Sequence, residues 1–81
     1  MYFVYLLLCS DKSLYTGIAK DPQQRFLQHL KGLGGAYTRS HPPLKIVYLE
    51  TCPNKSSALK RESQIKKMSR IEKIHSLHLH V

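Results

Sequence analysis

At 81 residues the chain is long enough for a single domain with a modest core and too short for a separate substrate-recognition domain. Thirteen Lys and Arg against five Asp and Glu leave a formal charge of +8, which favours an anionic polymer or surface as partner. Cys9 and Cys52 are too few and too far apart for a zinc pattern or a disulfide framework, so reduced, partly buried thiols are expected.

Tyr2 to Leu8 is an unbroken apolar and aromatic run, which predicts a strand buried on both faces. No charged stretch precedes it, and Met1 to Cys9 is too short for a signal sequence or a membrane span, so a cytoplasmic protein is expected. Ser10 to Ser13 supply turn chemistry before a second strand at Leu14 to Ala19, and the pair reads as a hairpin. Asp21 as N-cap, Pro22 at the first helical position and Gln24 closing a capping box predict a helix from Pro22 to about Lys31, stopped by Gly32. Gly32 to Gly35 reads as a flexible loop, and Tyr37, Arg39 and His41 are placed on the loop that continues it. Pro42-Pro43 blocks helix, and Leu44 to Thr51 is rich enough in Ile, Val, Tyr and Leu for a third strand. Asn54 or Ser56 caps a helix to about Met68, and a capping box of Ser69 and Glu72 starts another toward Leu79. The sum is an α+β fold with no internal repeat and no dividing linker.

Periodicity places the candidate side chains. Phe3, Tyr5 and Leu7 share one face of the first strand, and Tyr15 and Gly17 share one face of the second. A register that pairs Tyr5 with Gly17 puts both phenols on the same side, with open space beside Tyr5 for a substrate group; otherwise they are ordinary strand aromatics. On the following helix Arg25 and His29 are one turn apart, while Phe26, Leu27 and Leu30 define its apolar stripe. On the long helix, counting from Ala58, Leu59 lies at about 100°, Ile65 at about −20°, Met68 at about −80° and Glu62 at about 40°, inside the apolar stripe. A carboxylate facing the protein body needs a cationic partner, which is either a metal ion or Lys66 one turn later.

These residue types can assemble a phosphodiester-cleaving site. Two phenols orient or deprotonate a water, a guanidinium clamps a phosphate, and a lone carboxylate holds one hard cation. Seven basic and two acidic residues fall between Lys55 and Lys73, a net +5 of the total charge, which is either a nucleic-acid surface or a solvated helical face. His75, His78 and His80 have no carboxylate or cysteine beside them and read as tail residues.

The order of these features resembles the GIY-YIG nuclease superfamily, in particular its short stand-alone YhbQ-like members. The matching blocks are Tyr15-Thr16-Gly17-Ile18, Ala36-Tyr37-Thr38-Arg39, Ala58-Leu59-Lys60-Arg61-Glu62, Ile65-Lys66 and Ser69-Arg70, spread over about residues 2 to 75. The resemblance implies a three-stranded antiparallel sheet flanked by helices over residues 1–81, with a metal-dependent phosphodiesterase site. By motif position it gives Tyr5 and Tyr15 the roles of the two signature tyrosines and Arg25 that of the family arginine. It likewise makes His29 the histidine of several branches and Glu62 the metal-binding carboxylate for one Mg²⁺ or Mn²⁺. An unperturbed phenol titrates near ~10 and is a poor base at neutral pH unless His29, the metal or the cationic site stabilises its anion; either tyrosine fits that role. Two departures stand out. Phe3-Val4-Tyr5 replaces Gly-Ile-Tyr, and Ile18 follows the second signature where some repair nucleases have a nearby lysine, leaving Lys20 as the nearest substitute.

The expected activity is therefore metal-dependent DNA cleavage of low sequence specificity in repair or recombination, with RNA as an alternative substrate. The rival is a non-catalytic nucleic-acid-binding module with the same fold, and a protein adaptor using the basic helices is a third reading. Lys60, Lys66, Lys67 and Arg70 are the expected phosphate contacts, joined by Tyr37 and Arg39.

Overall fold

The computed structural model describes all residues, Met1–Val81. Strand β1 (Tyr2–Cys9) lies between β2 (Leu14–Ala19) and β3 (Pro43–Cys52), and both pairings are antiparallel. The central position explains the unbroken apolar run: Val4 to Leu7 are all buried because helices cover both faces of β1. A register irregularity between Leu6 and Leu7 leaves Val47 of β3 without a partner.

The helix ends follow the predicted cap signals, except that Gln24 gives only its backbone amide to Asp21 and closes no reciprocal box. Helix α1 (Pro22–Leu30) opens with Asp21 accepting from the Gln24 amide and ends before Gly32, whose φ of 76° suits glycine. The capping role before α3 (Lys55–Lys66) falls to Asn54, which with Ser57 forms a reciprocal box. Ser69 and Glu72 do the same for α4 (Arg70–Ser76). Beyond α4, Leu77 and Leu79 return to the core.

The alternating side chains of the sheet serve two different layers. Val4 and Leu6 face α3, α4 and the C-terminal residues, packing with Cys52, Ala58, Ile65, Leu77 and Leu79. On this side Arg61 Nε reaches both Glu50 carboxylate oxygens, at 3.0 and 3.1 Å, and Tyr48 donates to Glu50 at 2.5 Å, tying α3 to β3. Tyr5 looks out of the opposite face, toward α1.

Two expectations about local structure need correction. The segment carrying Tyr37 and Arg39 is a short helix, α2 (Ala36–Ser40), and His41 is its C-cap. Five residues after paired glycines carry too little periodicity to announce a helix. The apolar stripe of α1 is also different: Leu27 and Leu30 are exposed, whereas Pro22 and His29 are buried. The inward row is 22, 25, 26 and 29, so Arg25 flanks the buried face, and a histidine rather than leucines occupies its centre. No helix is long and apolar enough to cross a membrane.

Candidate active site

The hairpin register pairs Tyr5 with Gly17 and Leu7 with Tyr15, so both phenols project from the α1 side. Their ring centroids are 6.4 Å apart. The space beside Gly17 is not open. A Cβ there would lie 2.5 Å from Tyr5 Oη, because the phenol itself fills the position where a side chain would be. Glycine is required at residue 17 to seat Tyr5, and the expected substrate cavity at that point is corrected accordingly.

His29 comes down from α1 onto this phenol. Tyr5 Oη and His29 Nε2 are hydrogen-bonded at 2.9 Å, and His29 Nδ1 and Thr38 Oγ1 of α2 at 2.7 Å. All three residues are at most 2 % exposed. Both ring nitrogens are thus satisfied, which is what permits a histidine at a core position. Gly34 lies flat against the imidazole, where a Cβ would overlap the ring. Within the expected Gly32–Gly35 loop, Gly34 is therefore buried in this packing. Gly34 and Thr38 escaped sequence reasoning; the only signal was a glycine cluster leading into Ala36-Tyr37-Thr38-Arg39.

The electrostatics centre on Tyr5. Burial and the neighbouring Tyr15 push its phenol up to about 12, the Arg25 guanidinium beside it pulls the other way, and Glu62 adds a further upward push. Three residues, from β2, α1 and α3, therefore act on one phenol of β1. At neutral pH that oxygen keeps its proton, so Tyr5 is a hydrogen-bond donor there and a poor base. Burial, reinforced by Arg25, lowers the His29 pKa and favours the neutral imidazole. Arg25 itself is half-buried and steadied by an Nη1 bond of 2.8 Å to Gln28. Tyr15 is half-buried, meets His29 edge-on at 5.1 Å, and stacks on Tyr37, which in turn stacks on His41 at 4.3 Å.

Glu62 is mostly sheltered, its side chain 17 % exposed, and its carboxylate lies 3.4 Å from the Lys66 amine. The Lys66 side chain is 56 % exposed, so the pair is worth only ~0.3–0.5 kcal/mol and is readily exchanged for another cation. No three His, Cys, Asp or Glu side chains gather to ligate a metal. A cation held here would rest on one protein carboxylate, with water and substrate oxygens completing its shell. That donor set suits Mg²⁺ or Mn²⁺ and not the closed nitrogen and sulfur set of structural zinc.

Lys60, Lys67 and Arg39 are exposed. Arg70 spends one guanidinium nitrogen on the Lys12 carbonyl in the hairpin turn. Tyr37 donates to Ser13 at 2.5 Å. Lys20 does not replace the lysine that Ile18 displaces, since its amine sits over the Tyr2 ring, 5.5 Å from the centroid, and Tyr2 packs against the core on the other side of the sheet.

Residues 1–74 match the model of the GIY-YIG catalytic domain. The chain belongs to the GIY-YIG family. Within that family it is similar to UPF0213 proteins. It is 48% identical to one from Staphylococcus epidermidis over 73 residues, covering 90% of this chain and 89% of the relative. For one from Syntrophus aciditrophicus the identity is 52% over 73 residues, covering 89% and 84%. The solution NMR structure of the UPF0213 protein BH0048 from Bacillus halodurans superposes with a TM-score of 0.61 at 35% identity, covering 96% of this chain and 84% of that one. The α+β architecture described above is thus that of a solved GIY-YIG relative of the UPF0213 group.

Proposed function

We propose that this GIY-YIG domain, acting as a single unit over residues 1–81, hydrolyses phosphodiester bonds in DNA with low sequence specificity and one Mg²⁺ or Mn²⁺. The observation that supports the reading best is the convergence of Tyr15, Arg25 and Glu62, each from a different element, on the buried Tyr5 phenol. Glu62 would hold the metal, which when bound would supply charge neutralisation at the scissile phosphate. Arg25 grips the non-bridging oxygens and takes up charge that develops as water attacks. Tyr5, buried, protonated and hydrogen-bonded to His29, positions its neighbours Tyr15 and Arg25. The more accessible Tyr15 orients the attacking water and relays its proton. Repair or recombination is the setting that such a nuclease suits, and two buried free thiols are compatible with the cytoplasm.

A non-catalytic binding module is the rival, and the Glu62–Lys66 ion pair is the observation that favours it. The exposure of Lys66 weakens that reading, because a pair kept for structure alone gains little there. The test is Arg25→Lys, assayed beside the native protein on labelled DNA. Lysine keeps the charge but loses the planar fork. Cleavage is expected to fall strongly, by roughly 10²-fold or more, with DNA affinity changed only modestly; full activity would remove Arg25 from the site.

Binding itself is expected to come from phosphate contacts by Lys60, Lys66, Lys67 and Arg70, with Tyr37 and Arg39 nearer the site. The logarithm of the association constant should fall linearly with the logarithm of salt, by ~0.7–0.9 per phosphate contacted. Replacing Lys66, Lys67 and Arg70 together by Ala should flatten that slope. An unchanged slope would place the nucleic-acid surface elsewhere.

A further inference from the structure

Three aromatic rings surround the Tyr15 phenol, and they differ in how they are held. Tyr5, tilted at 6.4 Å, and His29, edge-on at 5.1 Å, are buried. Tyr37 stacks on Tyr15 at 5.7 Å, with 26° between the planes, and comes from α2, where it is 41 % exposed. A ring so exposed keeps one orientation only if something besides Tyr15 fixes it.

The turn between β1 and β2 supplies that brace, through hydrogen bonds whose direction is set by their last acceptor. An ionised carboxylate only accepts. Asp11 Oδ1 takes the Ser13 amide at 3.0 Å and the Ser13 hydroxyl at 2.6 Å. With its own hydrogen so used, Ser13 Oγ is left to accept from Tyr37 Oη at 2.5 Å. His41 closes the arrangement from the other end. Its Nδ1 lies 3.0 Å from the Tyr37 carbonyl, which only accepts, so Nδ1–H donates there. Its Nε2 lies 3.6 Å from Asp11 Oδ2, and its ring stacks on Tyr37 at 4.3 Å with 14° between the planes. Tyr37 is thus held through its hydroxyl, its carbonyl and its ring. These contacts are exposed and add little to stability; what they fix is the direction in which Tyr37 presents its ring. The Tyr37 hydroxyl hydrogen is spent on Ser13, so the side chain acts on its surroundings through the ring.

We infer that Tyr37 is a positioning residue: braced on Ser13 and Asp11 of the hairpin turn, its ring is the outer wall that holds Tyr15, so that the Tyr15 hydroxyl stays aimed at the attacking water. The ring contact is a property of the free protein, while the aim at water rests on the phosphodiesterase reading. A wall for Tyr15 acts on turnover, whereas a contact of Tyr37 with DNA acts on affinity, so the two separate in kinetics.

Fluorine NMR of fluorotyrosine-labelled protein, with the Tyr15 signal assigned by its loss in Tyr15→Phe, tests the contact; cleavage of labelled DNA by the unlabelled protein tests its consequence. Tyr37→Leu is expected to move the Tyr15 signal toward that of free fluorotyrosine and to lower kcat by roughly 10- to 100-fold, the scale of a small misplacement of a reacting group, with KM little changed. Tyr37→Phe and Ser13→Ala each break the same bond and keep both rings. Each should slow turnover by a smaller factor, and the two combined should be no slower than either alone. A folded Tyr37→Leu protein with the native Tyr15 signal overturns the inference, as does a shifted signal with native kcat or an effect confined to KM. Multiplying effects of Tyr37→Phe and Ser13→Ala would overturn the brace. If Tyr37→Leu fails to fold, Ser13→Ala decides, and a native Tyr15 signal and turnover in that variant overturn the inference. Should the Tyr15 signal follow Tyr37 as expected while no form of the protein cleaves DNA, the ring contact stands and the nuclease reading falls.

Discussion

Glu62→Gln is expected to lower metal-dependent cleavage by about 10²-fold or more while leaving the fold and DNA affinity in place. The substitution keeps the volume and most of the hydrogen-bonding capacity of a side chain that is 17 % exposed, and removes only the negative charge that a hard cation requires. The ion pair with Lys66 is lost as well, but the lysine side chain is largely exposed. Its loss of ~0.3–0.5 kcal/mol corresponds to a fall in Tm of about 1–4 °C for a domain of this size. Removing an anion near the proposed phosphate position would, if anything, tighten DNA binding. Were Glu62 a purely structural partner of Lys66, the order would reverse: the variant would melt early and retain its cleavage per folded molecule. Melting temperature, affinity and cleavage measured on the same preparation separate the two accounts.

The second large effect is expected at a residue with no functional group. Gly34→Ala places a methyl on the His29 imidazole. Many such clashes relax because the side chain swings away. This ring is held at both nitrogens, by Tyr5 at 2.9 Å and Thr38 at 2.7 Å, so it cannot yield without breaking one bond. Overpacking of this kind costs about 1–3 kcal/mol, or roughly 4–8 °C in Tm for each kcal/mol, and it displaces the phenol's anchor as well. The variant should therefore lose both stability and cleavage. A thermodynamic cycle supplies the control: in a His29→Ala background the added methyl has room, and its cost should largely disappear. An equal cost in both backgrounds would mean that Gly34 is needed for its backbone and not for the imidazole.

The sequence made the sheet and the helix ends legible because their signals are local. Asp21-Pro22, Asn54 and the Ser69-Glu72 box lie next to the backbone they cap, and the register of Tyr5 with Gly17 is one that the short turn between β1 and β2 allows. What was hidden depends on partners distant in the chain. His29 lies 24 residues from Tyr5 and 9 from Thr38, and nothing in the periodicity of α1 says that a histidine with two partners will displace Leu27 and Leu30 from the buried row. Gly17 looked like an opening because an absent side chain suggests space; the space belongs to Tyr5. Glu62 was correctly placed as a sheltered carboxylate; of the partners considered for it Lys66 lies beside it, and its field reaches the Tyr5 phenol.

The central claim, that these converging residues form a metal-dependent nuclease, is tested most directly by incubating the purified protein with labelled single-stranded, duplex, flapped and branched DNA in Mg²⁺, Mn²⁺ or excess chelator. The expected result is cleavage of at least one substrate in either metal, abolished by chelator and by Glu62→Gln. Cleavage that persists unchanged in chelator, or binding of every substrate with cleavage of none in either metal, would contradict it.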